Sequence, residues 1–91
     1  GGEILYSPVN RGWIVGTIKG EMYHFSIEGY ERWSRTIGIG EIRSLALSKD
    51  NRIVYVGESS PSGTLYALEV ATGDMLLELK MKFVRIRFRF M

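Results

Sequence analysis

The sequence predicts an all-β fold: two four-stranded antiparallel units followed by the opening strand of a third. Three observations carry that expectation. The stretch "GEMYHFSIEGYE" at 20–31 returns as "GTLYALEVATGD" at 63–74. Short apolar-rich runs alternate with turn formers along the chain, in "NRG", "KG", "EG", "KDN", "SSPSG" and "TGD". No long run has helical periodicity, and the best candidate, "LYALEVATGDMLLELK", is split by Thr72 and Gly73.

Each unit reads as strands a to d. Strand a covers Ile4–Val9 and again Ile42–Leu47, with Ile4 laid on Ile42. Strand b covers Trp13–Thr17 and Ile53–Gly57, with Gly16 on Gly57. Strand c covers Glu21–Ile27 and Thr64–Val70, with Tyr23 on Tyr66. Strand d covers Tyr30–Thr36 and Asp74–Met81, with Gly29 on Gly73 just before it. The Asn, Asp and Gly residues between them tolerate the positive φ of tight hairpins. In "KMKFVRIRFRFM" the apolar residues change from odd to even positions at Val84, which marks a bulge or a strand boundary. A further strand a is due there. Residues 1–91 thus form one repeat domain, with units at about 3–37 and 41–82 and an extra strand at 84–90.

Four antiparallel strands repeated at about forty residues describe a β-propeller blade. The second unit supplies Val54-Tyr55-Val56-Gly57, then Gly63 through Glu69, then Thr72-Gly73. The first supplies Ser7-Pro8, Ile14 through Thr17, Gly20, Tyr23, Gly29 and Trp33. This pattern resembles the quinoprotein-type (PQQ-like) propeller repeat. The resemblance implies a partial propeller in which Trp residues closing strand d dock neighbouring blades. Trp33 stands at that position in the first unit and Leu77 in the second, so docking by Trp is expected to be incomplete. The acidic residue of the repeat is kept only as Glu69, with Ser26 as its counterpart.

The chain has 91 residues, 45% hydrophobic and 24% charged, an ordinary globular balance with a modest core. With no Cys, disulfides, thiolate metal sites and thiol nucleophiles are excluded. No stretch approaches the ~20 apolar residues of a membrane span. The chain opens "GGEILYSP" without a Met, which reads as a cut or processed end, with Gly-Gly as a scar. Net charge is +2, yet Lys80, Lys82, Arg85, Arg87 and Arg89 hold five of the positive charges, leaving the body at −3.

Chemistry-bearing residues are sparse. His24 is the single histidine and lacks ligand or triad partners at useful spacing, so it reads as a packing or solvent-facing strand residue. "GIG" at 38–40 has no following helix and reads as slack between strand d and the next strand a. Asp50 and Asn51 read as turn residues. Tyr6, Trp13, Tyr23, Tyr55 and Tyr66 read as strand residues engaged in blade packing. No catalytic, cofactor-binding or metal-ligating set emerges. Arg85, Arg87 and Arg89 share one face of the final strand, a candidate anion-binding surface or a solvated, aggregation-resistant edge.

The leading expectation is therefore a non-catalytic propeller-repeat module, an interaction scaffold or part of a larger propeller, with a protein partner or self-association. Two alternatives stand beside it: a piece of a quinone-dependent dehydrogenase, and an anion or nucleic-acid binder acting through the arginine face. The resemblance leans toward an extracytoplasmic setting; the residues themselves fix no compartment.

Overall fold

The computed structural model describes residues 3–60 and 63–80 of the chain. Among them are eight strands: β1 (Glu3–Ser7), β2 (Gly12–Gly16), β3 (Glu21–Ser26), β4 (Glu31–Thr36), β5 (Ile42–Leu47), β6 (Ile53–Glu58), β7 (Thr64–Glu69) and β8 (Met75–Lys80). They form two four-stranded antiparallel sheets, each a meander in chain order. The all-β expectation stands, and strand ends move by only one or two residues. The expected strand at 84–90, with Arg85, Arg87 and Arg89, lies outside the described residues.

Pairing register corrects one part of the repeat alignment. Ile4 pairs with Val15, and Leu45 pairs with Val56, so Ile4 corresponds to Leu45 and not to Ile42. The a–b hairpins then match in residue type: Ser7, Asn10, Arg11 and Gly16 fall on Ser48, Asn51, Arg52 and Gly57. Both hairpins turn through a residue of positive φ, Arg11 at 50° and Asn51 at 63°. The c–d pairs match as well. Each carries an irregularity at the same place, between His24 and Phe25 and between Ala67 and Leu68.

Strand alternation gives each sheet two faces. On the first sheet, Leu5, Ile14, His24 and Trp33 form one cross-strand row, and Tyr6, Trp13 and Phe25 lie on the opposite face. The corresponding rows of the second sheet are Ala46, Tyr55, Ala67 and Leu77, and, opposite, Leu47, Val54, Leu68 and Met75. The core forms where the first row of sheet one meets the second row of sheet two. Ile14 and Met22 are buried against Ile42, Val54, Val56, Tyr66, Leu68 and Val70, with Leu5, Trp33, Leu45, Leu47 and Met75 packed around them. The sheets approach most closely at β1 and β5. They do not close on each other among the described residues. The stacking is head-to-tail: among the described residues equivalent faces do not meet, and one face of each kind is left open.

Candidate functional site

The contact between the sheets is held by a polar latch around Val70. The indole Nε1–H of Trp33 donates to the Val70 carbonyl at 2.8 Å. His24 Nδ1–H donates to the same oxygen at 3.0 Å, using its second lone pair. That fixes the neutral tautomer and leaves Nε2 to accept from Arg32 Nη1 at 3.0 Å. Arg32 also donates to the carbonyls of Asn10 and Arg11, tying the first hairpin down. Arg35 reaches across to the Gly73 carbonyl at 2.8 Å. The Trp33 ring lies against Gly73, whose φ of +78° and missing Cβ leave it room.

The sequence predicts that His24 packs on the strand or faces solvent; it is 1% exposed, with Nδ1 bonded to Val70 across the interface and Nε2 to Arg32 of its own sheet. Burial, aided by the Arg32 charge, holds its imidazole below the ordinary pKa of 6.5, with the Val70 bond opposing. Hairpin joins hairpin as well: Ser7 Oγ donates to Asn51 Oδ1 at 2.8 Å, and Asn10 Nδ2 to the Asn51 carbonyl at 2.8 Å. The turn roles of Asp50 and Asn51 hold. Asp50 accepts from the Arg52 N–H and the Ser48 hydroxyl, in that order lowering its pKa.

A second buried group sits at the link. Glu58, 3% exposed, accepts from Tyr66 Oη at 2.8 Å and from the Gly40 N–H at 2.7 Å. Gly38 lies so close to Glu58 that a Cβ would collide with it. The "GIG" segment is thus clamped on a carboxylate and is not slack. Burial, then the Glu58 bond and charge, pushes the Tyr66 hydroxyl up to about 12.

The open faces depart most from the sequence reading. Tyr66 is in the core and Tyr23 is half-buried, but Tyr6, Trp13 and Tyr55 are each 39% exposed, and among the described residues no second sheet packs on them. Tyr6 and Trp13 contact each other with ring centroids 4.8 Å apart, and Tyr23 stacks on Phe25 at 5.5 Å. Beside them an open groove of about 440 Å³ is lined by Ile4, Trp13, Val15, Phe25, Ile27 and Gly29. Its position in the first sheet is that of the Trp33 seat in the second: Ile27 matches Val70, and Gly29 matches Gly73. A Cβ on Gly29 would meet nothing within 4 Å, and no side chain among the described residues donates to the Ile27 carbonyl. The open face of the second sheet presents Leu77 and Leu79, both exposed, with Tyr55.

Among the described residues no group of three or more His, Cys, Asp or Glu is placed to hold a metal ion, and no helix is long and apolar enough to cross a membrane. The roles of Asn10, Arg32, Arg35 and Glu58 go beyond what the sequence predicts, Asn10 being legible there only as a turn residue. The Ser-x-x-Asn-Arg match at 7–11 and 48–52 was the available signal for Asn10; nothing in the sequence marked the other three. No protein-family model matches the chain, and no curated protein matches it closely.

Proposed function

We propose that this chain is a non-catalytic stacking module of the β-propeller-repeat type, acting as a protein-interaction scaffold through its open sheet faces. One observation carries the reading. The seat that receives Trp33 inside the molecule has an open counterpart at Ile27 and Gly29, on a face rich in exposed aromatic residues. Contiguous exposed apolar surface of this kind marks an interaction site. The head-to-tail order of the sheets and their approach at β1 and β5 support the propeller reading, since such repeats offer one face backward and another forward. The tail arginines lie outside the described residues.

Adjacent residues of β2 test this. Ile14 faces the core and Trp13 the open face. At a concentration low enough for the chain to be monomeric, Ile14→Glu is expected to abolish cooperative unfolding. Trp13→Glu, at a residue 39% exposed, is expected to keep a cooperative transition and to cost clearly less than Ile14→Glu. Equal collapse of both variants would make the open face part of the fold and end the scaffold reading.

A further inference from the structure

We infer that the open face of the first sheet is a docking site for the open face of the second sheet of another copy of this chain, with Leu77 entering the groove at Ile27 and Gly29. The inference rests on the scaffold reading above and names its partner.

Side-chain size carries it. Inside the molecule the entering row is Leu5, Ile14, His24 and Trp33, and the receiving row is Leu47, Val54, Leu68 and Met75. A bulky indole meets a face of aliphatic residues. On the open faces the sizes are exchanged. The entering row becomes Ala46, Tyr55, the buried Ala67 and Leu77, smaller at three of four positions. The receiving row becomes Tyr6, Trp13, Phe25 and Glu31, aromatic where the internal face has Leu47, Val54 and Leu68. Close packing rewards conserved total volume and penalises overfilling, so faces that change in opposite directions suit each other. A Trp in the place of Leu77 would crowd the groove that Trp13 and Phe25 already narrow.

The polar latch changes in the same sense. His24 and Trp33 both donate to Val70, whereas their counterparts Ala67 and Leu77 have no donor to offer Ile27. The second contact is apolar and releasable, and the first is fixed by hydrogen bonds. Because unlike faces meet, the contact is heterologous: copies continue into a ring if the rotation closes and into an open stack if it does not.

Face-blocked variants of the full chain test this in light scattering coupled to size exclusion across the micromolar range. The unmodified chain is expected to self-associate. Trp13→Glu blocks the receiving face and Leu77→Lys the entering face, so each alone is expected to stay monomeric. Their mixture keeps one intact face of each kind and is expected to give a one-to-one dimer and nothing larger. Leu77→Trp is expected to weaken association at least tenfold, and adding Trp13→Val to restore it. A folded chain that remains monomeric throughout overturns the inference, while the scaffold reading survives with a different protein as partner. Self-association of either blocked variant alone also overturns it, because like faces would then be meeting. If Trp13→Glu fails to fold, the scaffold reading itself fails, and Tyr6→Lys in its place keeps the self-docking test available.

Discussion

Trp33 of the first sheet lies against Gly73 of the second: the indole rests on the glycine while its Nε1–H donates to Val70 three residues earlier in the chain. The join needs both halves. Trp33→Ala empties a large volume at the interface and is expected to cost about 3 kcal/mol. Gly73→Ala places a Cβ against the ring at a φ of +78°. Gly29→Ala meets comparable backbone strain at +95° but no neighbour within 4 Å. Denaturant midpoints of the monomer should therefore fall further for Gly73→Ala than for Gly29→Ala; the reverse order would remove the equivalence drawn between the two seats.

His24 makes the join sensitive to acid. Its folded-state pKa lies below the ordinary 6.5, so the unfolded chain binds the proton more readily. Stability is then complete above about pH 6.5 and declines as pH falls through that value toward the lower folded-state pKa. Urea midpoints measured at pH 7.5 and pH 5 are expected to differ, and His24→Gln should flatten the difference. An unchanged slope in that variant would assign the acid sensitivity to the carboxylates.

Tyr66 titrates at the opposite end. Tyr66 is expected to stay protonated in the native state to about 12, while its unfolded value is 10. Its stabilising contribution is thus present below pH 10 and lost as pH rises through about 12. Tyr66→Phe leaves the buried carboxylate short of a donor and is expected to cost about 1–3 kcal/mol. Ultraviolet phenolate absorbance checks the first expectation and thermal melts the second; a Tyr66 that ionises with the exposed tyrosines would contradict the burial of this pair.

The strands were legible because alternation and turn residues are local signals. "GTLYALEVATGD" declares a strand, a turn and the next strand without reference to anything distant. Strand a misleads because Ile42 matches Ile4 in residue type, whereas register is set by pairing, with Leu45 opposite Val56. The latch was hidden for a related reason. His24, Arg32, Asn10 and Glu58 acquire their roles from groups on other strands or the other sheet, and a lone histidine on a strand reads as a bystander. Trp33 alone announced an interface, through its place at the end of a repeat. That Trp13 and Tyr6 face outward follows from which side the second sheet covers, which spacing within one strand does not specify.

Cysteine cross-linking tests head-to-tail docking most directly, because the chain has no cysteine of its own. One preparation carries Glu28→Cys at the groove and the other Leu77→Cys on the opposite open face. The two are mixed at equal concentration, oxidised mildly and mapped by mass spectrometry. The expected product is the mixed 28–77 link, formed well above the 28–28 and 77–77 links and suppressed by Trp13→Glu. Links in random proportion, or a dominant 77–77 link, would contradict the docking of unlike faces.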